Sequence, residues 1–250
     1  MSGHSKWHNI RLRKGRQDAE RGALFTKLAR EIIIAAKQGG GNPDGNARLR
    51  LAMQKARDSS MPQDRIQNAV RKGTGELEGA VYEELTYEGY GPGGVAVIVQ
   101  CATDNRNRTV ADVRKVFSKS GGRLGENGSV AWMFSAPVGL ISVSSASADE
   151  DSIMAVALDA GATDMRTGDG CFEVTTQPGD LARVTEALQE AGAKVESAEV
   201  TILPNQTVHV DGKEAQQVLR LMELLEDLDD VQRVHANFDI PEEVLEAAAR

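Results

Sequence analysis

The chain has 250 residues, of which 40% are apolar and 26% charged, with a net charge of -8. That length allows one large domain or two to three small ones, and the composition excludes extended disorder. Aromatic residues make up 4%, too few for a broad base-stacking platform, and the longest apolar runs, such as Ile32–Ala36, Val95–Val99 and Ile153–Leu158, fall far short of the ~20 residues a bilayer span needs.

The charge is unevenly divided. Residues 1–77 hold 16 Lys+Arg and 7 Asp+Glu, net +9, whereas residues 78–250 hold 13 and 30, net -17. A basic start on an acidic body points to a polyanion at one end, with the acidic part facing away from it or touching a basic protein. Lys6, Arg11, Arg13, Lys14 and Arg16 surround Trp7, which lies between His4 and His8. Residues Ser2 to Arg16 therefore read as a disordered arm that grips nucleic acid. No apolar core follows the first charges, so no secretory signal is expected and a cytosolic location is. A transit peptide is the alternative for the acid-free Met1–Gln17 stretch, but Trp7 and the weak apolar face argue against it.

Gln17 to Gln38 reads as a helix with Leu24, Leu28, Ile32 and Ala35 inward and Lys27, Arg30 and Lys37 on the opposite side. Glycines 39–41 and Asn42-Pro43-Asp44-Gly45 end it. A second helix follows over Asn46 to Asp58, and a third over Pro62 to Lys72, with Pro62 suited to a first turn. The third places Arg65, Asn68 and Lys72 on one side, residue types that read base edges, in an outline resembling a helix-turn-helix. A solvated face of a small helical bundle is the alternative for that row.

From Ala80 the texture changes to period two. Tyr82–Glu88 and Val95–Cys101 read as a hairpin around Gly89-Tyr90-Gly91-Pro92-Gly93-Gly94, a turn rather than a phosphate cradle, since a strand follows it. The stretch Thr103 to Thr109 leads into a helix over Val110 to Ser120, capped by Thr109 or Asn107. Arg106 and Arg108 beside that helix start oppose its dipole, so either a docked anion or nearby acids must hold them. Ser129–Phe134 reads as a strand with Trp132 and Phe134 in the core.

Residues 138–205 give the order βαββαβ, a ferredoxin-like unit. Thr207–Val210, a helix over Lys213–Leu228 and a strand over Val231–Asp239 then complete the layer begun at Val81–Phe134. The expected fold is thus α+β and multidomain. It comprises a basic arm with a three-helix domain (1–78), a discontinuous α+β domain (79–137 and 206–240), an inserted ferredoxin-like domain (138–205), and a tail (241–250) that is a short helix or frayed.

Catalytic and metal signatures are absent. Cys101 and Cys171 are far apart and read as core thiols, the four histidines show no zinc spacing, and no nucleophile elbow, Walker loop or His-Glu-x-x-His occurs. The acidic run Glu226–Asp230 reads as a solvated surface or a contact for a basic partner. No enzyme, cofactor or metal is expected.

Gly3–Trp7, Gly22–Ile32, Thr103–Thr109 and Gly128-Ser129-Val130 resemble the YebC/PmpR family over nearly the whole chain. The resemblance implies a non-enzymatic, three-domain cytosolic protein, long described as a probable DNA-binding transcriptional regulator. It also implies relatives that activate translation in mitochondria or act at the bacterial ribosome. Two readings follow. In one, the arm with Lys27, Arg30, Lys37, Arg106 and Arg108 grips structured RNA on the ribosome, while the acidic domains touch basic ribosomal protein. In the other, Arg65, Asn68 and Lys72 meet duplex DNA. The dispersed cations and the net charge favour RNA.

Overall fold

The computed structural model describes residues 18–146, 149–168, 170–241 and 243–245. Helices α1 (Asp18–Gly39), α2 (Ala47–Asp58) and α3 (Gln63–Gly73) make the first unit. Each exists because an apolar side can be buried, and in α1 the consecutive residues Ile32–Ala36 are all buried. Leu28, Ile32 and Ala35 of α1 close over Leu49, Ala52, Met53 and Ala56 of α2 and Ile66, Ala69 and Val70 of α3. Asn46 caps α2 by accepting from the Leu49 N–H at 3.0 Å, and its amide donates to the carbonyls of Ala35 and Gly40, tying the loop back onto α1. α2 and α3 pack more extensively on α1 than on each other. A Cβ at Gly73 would lie 2.5 Å from the Ile33 carbonyl oxygen, so only glycine lets the end of α3 approach α1 this closely.

The second unit is a four-stranded sheet in the order β3-β1-β2-β9. Strands β1 (Glu83–Tyr90) and β2 (Ala96–Thr103) form the hairpin, β3 (Arg123–Leu124) flanks β1, and β9 (Val231–Ala236) returns beside β2 from more than a hundred residues away. The hairpin turn is a short 3-10 segment, Pro92–Gly94, with Gly93 at φ 67°. Helices α4 (Arg106–Lys119) and α7 (Gly212–Glu226) cover one face of the sheet and bury Val113, Phe117, Val218, Leu221, Met222 and Leu225.

The intervening segment forms its own sheet, order β5-β6-β4-β7, from β4 (Val138–Ser144), β5 (Ala162–Gly168), β6 (Cys171–Thr176) and β7 (Val195–Thr201). Its helices are α5 (Glu150–Asp159) and α6 (Leu181–Glu190). All neighbouring strands run antiparallel, as the inserted ferredoxin-like unit requires. The fold is therefore α+β and multidomain, as the sequence led us to expect.

Three local expectations need correction. Ser129–Phe134 is not a strand: Ala131–Met133 is a 3-10 turn, Trp132 is 69% exposed, and of the two expected aromatic residues only Phe134 enters the core, beside Val130. The cause is Glu88, buried in β1, whose carboxylate accepts from the N–H groups of Gly128, Val130 and Ala131 at 2.7–2.8 Å. Those donors cannot also serve a strand ladder. Second, α4 starts at Arg106 and its cap is Asn105, which accepts from the Arg108 N–H at 3.1 Å. Thr109 and Asn107 are not caps, and Arg106 and Arg108 belong to the first helical turn rather than to a loop. Third, the strand expected over Val231–Asp239 is interrupted at buried Asn237. Its side chain accepts from the Ala96 N–H at 2.7 Å and donates to the Gln206 carbonyl at 3.2 Å. Beyond that break, β10 (Phe238–Asp239) pairs in parallel with β8 (Val208–His209) as a separate ribbon. In the C-terminal stretch, Leu245 is fully buried in the main core.

Candidate nucleic-acid interface

The junction between the helical unit and the central sheet is built around one carboxylate. Asp230 follows α7 just before β9, and its side chain is only 8% exposed. It accepts from Arg108 Nη2 at 2.8 and 3.0 Å and Nε at 3.2 Å. The hydroxyls of Thr109 and Thr103 add bonds at 2.8 and 3.2 Å, and Arg30 of α1 reaches it at 3.2 Å. Burial pushes the Asp230 carboxyl up, but the bonds from Arg108 and Thr109 and the charges of Arg30 and Arg108 outweigh this and hold it below the usual carboxylate range. Arg30 also donates to the Asp229 carbonyl and lies 5.3 Å over the Tyr82 ring, while Lys27 donates to the Glu226 carbonyl. The exposed carbonyls at the C-terminal end of α7 attract cations, so α1 docks by its basic side.

A second clamp lies beside it. Arg233 of β9 pairs with Glu31 of α1 at 3.4 Å and donates to the Val200 carbonyl of β7. One side chain thus touches all three units. At the other end of α1, Arg48 holds Glu84 of β1 through two bonds and Gln38 supports the pair. The bond to Arg48 lowers the Glu84 carboxyl, overcoming partial burial.

The candidate binding residues divide accordingly. Lys6, Trp7, Arg11, Arg13, Lys14 and Arg16 lie outside the described residues. Lys27 and Arg30 turn onto the end of α7, and Arg108 is bound to Asp230 and Asp104. Arg30 and Arg108 do come together, as allies around Asp230. For Arg108 the nearby acids Asp104 and Asp230 answer the helix dipole. The run Glu226–Asp230 correspondingly has its basic contact within the chain, and Asp230 is buried rather than solvated. Lys37, Arg65, Asn68, Lys72 and Arg106 are exposed. Arg65, Asn68 and Lys72 share one side of α3, with Arg65 5.9 Å over the ring of Phe25.

Sequence reasoning missed Asp230, its threonine partners and Glu88. Burial tends to raise Glu88, yet the three backbone N–H bonds leave its carboxyl lowered. Glu88 shares its strand face with Glu84 and Thr86, opposite the core-packed Leu85 and Tyr87, so the alternation of β1 carried no signal of its burial. Cys101 and Cys171 are buried free thiols, and burial pushes Cys101 up to about 12, which fits a packing role. Among the described residues no group of His, Cys, Asp or Glu could hold a metal ion, and no described helix is long and apolar enough to cross a membrane.

Comparison with known proteins agrees with this architecture. Residues 5–76 match the family described as the TACO1/YebC protein N-terminal domain, and residues 82–238 match the TACO1/YebC second and third domain. A Desulforapulum autotrophicum protein named a probable transcriptional regulatory protein is 53% identical over 247 residues, covering 99% of this chain and 100% of the relative. One from Geobacter sulfurreducens with the same description is 55% identical, covering 98% and 99%. The crystal structure of a conserved hypothetical protein from Aquifex aeolicus superposes with a TM-score of 0.81 at 48% identity, covering 91% of this chain and 94% of that one.

Proposed function

The chain belongs to the TACO1/YebC family, and from that premise we propose that it is a non-enzymatic, nucleic-acid-binding regulator of gene expression that acts in the cytoplasm on RNA at the ribosome. The observation that carries this reading is the exposed row of Arg65, Asn68 and Lys72 on α3, with Lys37 exposed on α1, in a segment, residues 1–77, whose sequence is net +9. Lys6, Arg11, Arg13, Lys14 and Arg16 of the basic arm supply five of those nine net charges. RNA is favoured over free duplex DNA because the whole chain is net -8, so long-range attraction to a uniform phosphate rod is weak. The acidic units then face basic ribosomal protein.

Duplex DNA is the second reading, favoured by the name of the relatives and by the placement of Arg and Asn on one helix side. Ribosome co-sedimentation run beside duplex-DNA binding, both across a salt series, separates the two. Ribosome association that survives physiological salt, with DNA binding that is weak and indifferent to sequence, is the expected result. Sequence-selective DNA binding at physiological salt without ribosome association overturns the RNA reading.

A further inference from the structure

The acidic part of the chain conceals a reversal of charge. Of its 13 Lys and Arg, six fall between residues 106 and 123: Arg106, Arg108, Arg114, Lys115, Lys119 and Arg123. That stretch contains one acid, Asp112. Helical geometry then sorts these cations. α4 buries Thr109, Val113 and Phe117 against the sheet, which leaves Arg114, Lys115 and Lys119 exposed on the outer side with Asn107, Ala111 and Ser118 between them. Arg106 is exposed at the start of the helix. Arg108 is neutralised by Asp104 and Asp230, but the side chains of Arg106, Arg114, Lys115 and Lys119 make no hydrogen bond or ion pair among the described residues.

Helix stability does not account for this arrangement. Lys115 and Lys119 are four residues apart and repel each other, and Arg106 stands at the positive end of the helix dipole. Only Lys119, in the last turn, is favoured there. The outer side also lacks an apolar or aromatic centre, which a protein partner would need to anchor on. What remains is a 14-residue helix, about 20 Å long, bearing cations on flexible stems.

We propose that the outer face of α4 is a second nucleic-acid contact, one that takes a phosphodiester backbone through Arg106, Arg114, Lys115 and Lys119. This rests on the nucleic-acid reading given above and adds a site outside the helical unit. The N-terminal end of α4 is joined to α1 through Arg108, Asp230 and Arg30. A strand that meets both α3 and α4 therefore binds the second as an intramolecular step. Lysine offers point charges and not bidentate recognition, so the α4 contact positions the ligand without reading its sequence.

The test uses the full chain with the triple substitution Arg114→Gln, Lys115→Gln and Lys119→Gln, compared with Arg65→Gln/Lys72→Gln. The probes are duplex RNA and duplex DNA of the same arbitrary sequence, about two helical turns long, across a salt series. The expected result is a dependence of log K on log salt that is shallower by about two in the α4 variant, with equal loss on an unrelated sequence. Lys115→Arg/Lys119→Arg with Arg114 kept should leave the parent slope unchanged. A larger loss on RNA than on DNA, or the reverse, identifies the source of the backbone, and either supports the proposal. An unchanged slope in the α4 variant, with binding lost in the α3 variant, overturns the α4 site and leaves the function standing. If the unaltered protein binds neither probe, both readings fall. Lost ribosome co-sedimentation with an unchanged slope on naked RNA would assign the face to an acidic protein, which also overturns the proposal. All three substituted side chains are exposed, so thermal unfolding should remain at the parent temperature.

Discussion

Asp230→Ala should weaken the docking of the helical unit more than any other single substitution at the junction. Removing one partner of a buried ion pair costs about 3–5 kcal/mol when the surviving charge stays buried. Here the survivors differ. The Arg108 side chain is 46% exposed and keeps Asp104 at 2.9 Å, so it can turn to water. The Arg30 side chain is 11% exposed and is left with a carbonyl and the Tyr82 ring. Thr109 retains the Asn105 carbonyl at 3.1 Å as an acceptor. With one stranded cation rather than two, the cost falls at the lower end, about 3 kcal/mol. Asp230→Asn preserves an acceptor oxygen for the threonines and should cost about 2 kcal/mol. Hydrogen exchange is the direct assay, because a chain of several units need not unfold in one step. Protection should fall in α1 and at the start of α4, and stay unchanged in α5 and α6. A cycle with Arg30→Met should return a coupling of about 1–3 kcal/mol. A cost below about 0.5 kcal/mol for Asp230→Ala, within the ordinary range of surface changes, would refute the reasoning, as would a cost unaltered by Arg30→Met.

Further predictions concern pH and packing. Asp230 and Glu88 are both held below their ordinary values, so each contributes stability above its unfolded pKa and loses it as pH falls through the folded one. Urea midpoints should drop below about pH 4, and Asp230→Asn or Glu88→Gln should flatten that drop, with the curves converging in acid. Trp132→Ala, at a side chain 69% exposed, should change stability by less than about 0.5 kcal/mol, whereas Phe134→Ala at 6% exposure should cost about 3–5 kcal/mol in the same titration. Gly73→Ala should cost about 1–3 kcal/mol by forcing α3 off the Ile33 carbonyl, measured as lost exchange protection in α1 and α3.

The parts of the fold that were legible are those fixed by local periodicity. Leu28, Ile32 and Ala35 recur at helical spacing and are buried. In the βαββαβ unit the short link between β5 and β6 makes them neighbours, whereas the pairing of β4 with β6 and β7 joins strands that do not follow one another in sequence. What stayed hidden is set by partners distant in sequence. Nothing near Asp230 announces Arg108, 122 residues earlier. Nothing around Ser129 shows that Glu88 will take three of the neighbouring N–H groups. Asn105, Asn107 and Thr109 are all acceptable caps by type, and the choice between them is made by Asp230, which draws the Thr109 hydroxyl inward. The basic residues were easy to find, but their availability was not. Exposure depends on which helix side the core takes and on where the chain returns.

That distinction gives a separable pair of effects at two arginines. Arg30 and Arg65 both lie in the basic unit, and a reading from composition alone would assign them the same role. Arg30 is enclosed between Asp230, the Asp229 carbonyl and Tyr82. A phosphate could reach it only by displacing a carboxylate that already holds two arginines and two hydroxyls. Arg65 is exposed, and its one recorded side-chain partner among the described residues is the ring of Phe25. Arg30→Gln should therefore lower stability and leave the salt dependence of nucleic-acid binding unchanged once the protein is folded. Arg65→Gln should leave stability within about 0.5 kcal/mol and make the slope shallower by about 0.7–0.9, the share of one phosphate contact. Thermal unfolding and binding across a salt series on the same two proteins resolve the matter. If Arg30→Gln reduced the slope while the protein stayed fully folded, the junction would open to the ligand, and Asp230 would compete with phosphate instead of fixing α1 in place.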